Sequence, residues 1–97
     1  MADTNAMHAA PATAQECFER GMICASGRDG AVDMITAHKW FNIAASRGHG
    51  EAAGQRREIA AQMTDSEIGT AQRAARDWLK AHPLPVAAAM PALRVAA

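Results

Sequence analysis

The chain has 97 residues, and its ten basic and ten acidic side chains give a formal net charge of zero. This length suits one small domain. Zero net charge disfavours nucleic acid or an anionic membrane as the partner, because their binding depends on clustered positive charge. Hydrophobic residues make up 49% of the chain, yet it has only two tryptophans, two phenylalanines and no tyrosine. Since alanine buries little area per residue, the composition predicts a thin core.

The chain ends predict the location and the domain limits. The first residues include no lysine or arginine and no apolar run, so they do not resemble a secretory signal. No window holds the roughly 18 apolar residues of a membrane span, and we expect a soluble, cytoplasmic protein with reduced cysteines. We predict a flexible lead at residues 1–11, a helical domain at residues 12–82 and a flexible Pro/Ala-rich tail at residues 83–97.

The first predicted helix begins near Ala12 or Thr13, just after Pro11, and ends at Ser26. Gly27 follows and suits the left-handed position that often ends a helix. Small and apolar residues recur along this segment at helical spacing, which predicts one buried face. The residues of this stripe are Ala14, Cys17, Phe18, Gly21, Cys24 and Ala25.

The second predicted helix runs from about Met34 to Arg47 and carries the adjacent aromatic pair Trp40 and Phe41. Asp33 suits its N-cap, and Gly48 suits the position after its end. We expect Gly21, Ala44 and Ala45 to let the helices approach closely, while the two aromatic rings fill the space between them. The residues of its stripe are Met34, Ala37, Trp40, Phe41, Ala44 and Ala45.

Two further helices are predicted at about Glu51–Met63 and Asp65–Ala81. Thr64 and Glu67 form a capping-box pattern before the fourth helix, and the His82–Pro83 pair ends it. The stripe of the fourth helix is Ile68, Ala71, Gln72, Ala75, Trp78 and Leu79. Short connections between four helices predict an all-α fold of two stacked antiparallel hairpins.

The segments FERGMICASG, at 18–27, and AHKWFNIAASRG, at 37–48, together resemble a Sel-like repeat, a helical unit related to the tetratricopeptide repeat. In that family the first helix ends in a glycine–aromatic–glycine pattern, which Gly21, Cys24 and Gly27 match with cysteine at the aromatic position. The second-helix pattern is matched by Ala37, Trp40, Phe41, Ala44, Ala45 and Gly48. The third and fourth helices resemble a degenerate closing repeat anchored by Trp78.

The resemblance implies a fragment of an α/α solenoid that holds a partner protein on its concave surface. Because solenoids need about three repeats for a stable stack, the open ends favour a homodimer or docking on a larger protein. We predict a small adaptor that is not an enzyme and binds another protein, without nucleic acid, membrane or cofactor. His38, Asn42 and Arg47 are its predicted partner-binding residues, as exposed members of the groove. The alternative is a structural accessory subunit of a larger enzyme or complex.

The residues that could support metal or redox chemistry are few. Cys17 and Cys24 lie about 10 Å apart along one helix, too far for a disulfide within it. We expect both to be small buried hydrophobic residues, and the alternative is a metal or redox site built with a histidine. The four histidines have no metal-binding i, i+4 spacing and are His8, His38, His49 and His82. No catalytic, cofactor-binding or metal-ligating residue is therefore predicted.

Overall fold

The computed structural model describes Pro11 and residues 13–84, and this part of the chain contains four helices and no strand. The helices are α1 (Ala14–Ser26), α2 (Met34–Ser46), α3 (Ala52–Ala60) and α4 (Asp65–Ala81). The predicted all-α class is confirmed. Among these helices, none is long and apolar enough to cross a bilayer.

The predicted terminal segments fall mostly outside the described residues. Residues 1–10 of the predicted lead and residues 85–97 of the predicted tail belong to this undescribed part. Pro11, which was predicted to belong to the lead, is buried.

Two helices begin at reciprocal capping boxes. At the start of α4, the Glu67 N–H donates to the Thr64 hydroxyl at 3.1 Å, and the Thr64 N–H donates to the Glu67 carboxylate at 2.8 Å. This is the predicted box. Thr13 and Glu16 form the same arrangement at the start of α1, with both bonds at 3.0 Å. Each box satisfies two backbone donors that the first helical turn leaves without a carbonyl.

The ends of α2 are also the predicted ones to within one residue. The Asp33 carboxylate accepts the Thr36 N–H at 3.0 Å and caps the helix. After Ser46, Gly48 takes a left-handed φ of 96°, and the N–H groups of Gly48 and His49 bond to carbonyls of the last turn at 3.1 and 3.0 Å. Gly27 ends α1 with a φ of 73°. Left-handed backbone is easiest for glycine, so both glycines serve as helix stops.

Helix α3 is shorter than the predicted range of Glu51–Met63. Beyond Ala60, the N–H groups of Gln62 and Met63 bond three residues back, at 3.0 and 3.1 Å, instead of continuing the α-helical pattern. Thr64 then adopts extended backbone angles, φ −78° and ψ 160°, to cap α4. An extended residue cannot continue a helix, so Thr64 separates the residues that follow α3 from α4.

Helix α2 lies at the centre of the fold, and the other three helices pack against it. The α1–α2 pair is antiparallel: the Asp33 N–H donates to the Cys24 carbonyl at 2.9 Å at one end, and Gln15 bonds His49 at 2.9 Å at the other. The second hairpin differs from the prediction, since α3 and α4 pack chiefly on α2 and not on each other.

The buried surface of α2 explains this arrangement. Its stripe was predicted from one side of the helix, but Ile43 is also fully buried. Ile43 is two residues after Phe41, which places it about 200° away around the helix axis. A helix with apolar residues on opposite sides needs partners on more than one side. Three neighbours therefore pack on α2, whereas the prediction was of two stacked hairpins.

The core is thin, as the composition predicts. The largest fully buried side chains are Phe41, Ile43 and Cys17. Among the predicted structural residues, Ala37 and Ala44 are also fully buried, whereas Ala45 and Phe18 are half-buried. The half-buried Trp78 meets Trp40 edge-to-face, with ring centroids 5.4 Å apart.

Of the described glycines, Gly21 has the closest neighbour, and it lies where α1 packs against α2. A Cβ built at this position would lie 2.5 Å from Cε1 and 2.6 Å from Cδ1 of Phe41. The predicted contact of a small residue with a large one is thus confirmed here. Gly54 on α3 differs, because a Cβ at that position would meet nothing within 4 Å.

We expect opposite effects when these two helical glycines are replaced by alanine. Gly21→Ala should destabilise the fold by about 1–3 kcal/mol, because the new methyl group overlaps the Phe41 ring. Gly54→Ala should stabilise it by about 0.4–1 kcal/mol, because alanine restricts the unfolded chain and fits the helix. Urea unfolding followed by circular dichroism measures both, and changes of the same sign would contradict the assigned packing.

Candidate partner-binding site

An open groove of about 470 Å³ lies between α2 and α4. Helix α2 contributes Asn42, and α4 contributes both apolar and cationic residues. Its volume is in the range of ligand-binding pockets. The α4 residues that line it are Gly69, Gln72, Arg73, Ala75, Arg76 and Leu79.

Asn42, a predicted partner-binding residue, is half-buried and lines this groove. Its Oδ1 accepts a hydrogen bond from Nη1 of Arg56 on α3 at 2.8 Å. Because a guanidinium only donates, this bond assigns the carbonyl oxygen of the amide to Arg56. The amino group of Asn42 is left as a hydrogen-bond donor beside the groove.

Two cationic side chains, Arg73 and Arg76, line the α4 side of the groove and are exposed. Nη2 of Arg73 donates to the Thr70 hydroxyl at 3.3 Å, which is a contact with a neutral group. Within residues 13–84, neither arginine pairs with a carboxylate. The sequence interpretation missed both, because it followed the apolar stripe of α4. Gly69, Gln72, Arg73 and Arg76 share a helical face at i, i+3, i+4 and i+7, which was the available signal.

His38 does not have the exposure that the prediction gave it. Only 3% of its surface is exposed, and its Nδ1 is buried without a hydrogen-bond partner among the described residues. Burial, together with the nearby positive charge of Arg56, lowers the pKa of His38 from its ordinary value of 6.5. An interior, neutral imidazole contributes to the α2–α3 contact and offers no exposed surface to a partner.

We expect the free energy of unfolding to decrease as the pH falls below about 6.5. The folded-state pKa of His38 lies below that of the unfolded chain, so the unfolded chain takes up the proton first and is favoured. His38→Gln removes this titration and should flatten the slope just below pH 6.5. Urea unfolding at several pH values measures the slope, and equal slopes for the two proteins would contradict the assignment.

Asp33 gives an internal control for this experiment, because its carboxylate is protonated at lower pH than the His38 imidazole. Hydrogen bonds from the Thr36 side chain and backbone lower the pKa of Asp33 from its ordinary value of 3.8. The stability that this carboxylate contributes is present above that value and is lost as the pH falls further. The loss below pH 3.8 should therefore persist in His38→Gln.

Arg47 does not line the groove. It is half-buried, with its guanidinium carbon 5.2 Å from the centroid of the Trp78 ring, and its Nη2 donates to the backbone carbonyl of His82. These contacts join the C-terminal ends of α2 and α4. Of the three predicted residues, Asn42 lines the groove, His38 is buried near Arg56, and Arg47 holds two helix ends together.

The two cysteines are free thiols at different depths. Cys17 is fully buried, as expected for a small hydrophobic residue, and Cys24 is half-buried. Burial raises the pKa of both thiols and favours their neutral forms. Over Pro11 and residues 13–84, no three His, Cys, Asp or Glu side chains cluster closely enough to hold a metal ion.

In comparisons with known proteins, no family model, curated protein or solved structure gives a significant match to this chain. The resemblance to a Sel-like repeat therefore stays a prediction that rests on the residues of α1 and α2.

Proposed function

We propose that this protein is a small, non-enzymatic adaptor that binds another protein through its helical surface. The groove between α2 and α4 carries this proposal. It combines the apolar surface of the half-buried Leu79 with two exposed arginines that have no acidic partner within the described part of the chain. Mixed apolar and cationic surface of this kind suits protein recognition, in which arginine is enriched.

The α1–α2 pair supports the resemblance to a Sel-like repeat on which the adaptor proposal also draws. Gly21 lies against Phe41, and Gly48 takes the left-handed conformation after α2, and both glycines belong to the matched pattern. The proposal does not include a closing repeat formed by α3 and α4, because each of these helices packs chiefly on α2. The proposed adaptor is one repeat-like hairpin with two added helices.

Affinity capture of the tagged full chain, followed by reconstitution, tests the proposal. A partner protein identified by mass spectrometry should form a saturable complex of defined stoichiometry when both purified proteins are mixed. Sedimentation velocity measures this complex and also detects a homodimer. A chain that stays monomeric and forms no saturable complex with any captured protein would rule out the adaptor.

The thin core favours a second candidate, a structural accessory subunit of a larger enzyme or complex. Among the described residues, the largest fully buried side chains are Phe41, Ile43 and Cys17, and small cores are marginally stable. An accessory subunit should be insoluble or lack cooperative unfolding when expressed alone, and co-expression should rescue it. The adaptor should instead unfold cooperatively as an isolated chain. Thermal unfolding followed by circular dichroism separates the two.

A further inference from the structure

We infer that the groove between α2 and α4 binds an acidic peptide segment of the partner protein. This inference rests on the proposed function and specifies the chemistry of the bound segment. It follows from the charge of the groove, from the spacing of its cations and from the apolar residues beside them.

The residues that line the groove supply hydrogen-bond donors and no carboxylate. Arg73 and Arg76 donate through their guanidinium groups, and Asn42 offers its amino group because Arg56 occupies its oxygen. Asp65 and Asp77 belong to α4 but do not line the groove. A bound carboxylate would supply the negative charge that this surface lacks.

The spacing of the two arginines fits a peptide with neighbouring acidic side chains. Arg73 and Arg76 are three residues apart on α4, about 4.5 Å along the helix axis. Each planar guanidinium can hold a carboxylate through two parallel hydrogen bonds. Leu79 provides apolar surface beside them, and Gly69 has no side chain to obstruct the groove. The preferred segment therefore combines acidic and apolar residues.

The small size of this cationic surface favours a peptide over a nucleic acid. Two of the cations outside the groove lie against tryptophan rings: Lys39 Nζ is 4.5 Å from the Trp40 centroid, and the Arg47 guanidinium carbon is 5.2 Å from that of Trp78. A nucleic-acid site typically neutralises several phosphates at once, which needs a longer track of basic residues. Two groove arginines match a few carboxylates better.

Fluorescence anisotropy with the full chain tests this inference. The probe is a short fluorescein-labelled peptide in which pairs of glutamate alternate with pairs of leucine, and the matched peptide carries glutamine in place of glutamate. We expect the glutamate peptide to bind saturably and at least about tenfold more tightly than the glutamine peptide. Its affinity should fall as salt is added, because salt screens exposed charge pairs.

Charge reversal in the groove supplies the decisive variant. The double substitution Arg73→Glu with Arg76→Glu should weaken binding of the glutamate peptide by at least about tenfold. Arg28→Glu is the matched control, because Arg28 is exposed in the α1–α2 loop and does not line the groove. It should change affinity by less than about twofold. Replacing both groove arginines by glutamine gives a second, charge-neutral variant, and circular dichroism confirms folding of each.

Three results would overturn the inference. One is the absence of saturable binding to the glutamate peptide, and another is unchanged binding after charge reversal. The third is tighter binding of a labelled oligothymidylate than of the peptide, which would assign the groove to nucleic acid. The proposed function fails on a different result, which is the absence of a saturable complex with any captured protein, so its failure is distinguishable from failure of the peptide titration.

Discussion

Replacing Trp40 by alanine should destabilise the protein by about 3–5 kcal/mol. Trp40 is 7% exposed and belongs to the core cluster that joins α2 to α1, α3 and α4. The loss combines the transfer of a large buried ring into water with the cavity that its removal leaves. Small domains have a total stability of about 5–15 kcal/mol, so this change removes a large share of it.

The surroundings of Trp40 add contacts that alanine cannot replace. The Trp78 ring meets it edge-to-face at 5.4 Å, an arrangement that contributes beyond the buried area. Lys39 Nζ and the Arg20 guanidinium carbon lie 4.5 and 5.4 Å from the centroid of the Trp40 ring. Positive charge near an aromatic face is favourable, more so where the pair is shielded from water.

Two matched substitutions separate these contributions. Trp40→Phe keeps an aromatic ring and should be less destabilising than Trp40→Ala. Trp78→Ala should also be less destabilising, because Trp78 is only half-buried. Urea unfolding followed by circular dichroism gives all three free energies. A near-neutral Trp40→Ala would contradict the core assignment and would instead favour Trp40 as a binding residue on the surface.

The position of Trp40 also links stability to the candidate site. Helix α4 carries six of the seven residues that line the groove, and it packs mainly on α2. The contact between Trp40 and Trp78 is part of this packing, as are the contacts of Arg47 with Trp78 and His82. Weakening the α2–α4 contact should therefore disturb the groove and lower peptide affinity even when the groove residues are intact.

Local signals in the sequence predicted the helices well. The Thr64–Glu67 box, Asp33 and Gly48 act within one or two turns of the chain, so their residues suffice to place helix ends. Gly21 was also predicted correctly as a position of close approach, because no other residue leaves such space for a ring. The end of α3 at Ala60 was missed: Gln62 and Met63 bond three residues back and do not continue the α-helical pattern.

Tertiary contacts were predicted less well, for a physical reason. A single apolar stripe was assigned to α2, although Ile43 buries its opposite side and His38 is buried as well. Alanine and histidine occur on buried and exposed faces alike, so their pattern does not determine how many neighbours a helix has. The groove arginines were missed because their significance depends on the packing of α4 against Asn42, which no local pattern encodes.

Replacing Phe41 by alanine should destabilise the protein by about 3–5 kcal/mol as well. Phe41 is fully buried, lies 5.6 Å from the Phe18 ring and packs with Ala37 and Ile59 in one core cluster. Its removal leaves a cavity where α1, α2 and α3 meet. Phe41→Leu retains much of the apolar volume and should cost less, and urea unfolding measures both.

A double-mutant cycle with Gly21 tests why the glycine is needed. In the wild-type background, the methyl group of Gly21→Ala overlaps the Phe41 ring, whereas in Phe41→Ala the cavity accepts it. Gly21→Ala should then be much less destabilising, or even stabilising, in the Phe41→Ala background, with a coupling energy of about 1–3 kcal/mol. Additive effects would mean that the Phe41 ring does not determine how closely α1 can approach α2 at Gly21. Coupling of the expected sign would show that glycine is needed at position 21 because the Phe41 ring occupies the space of a larger side chain.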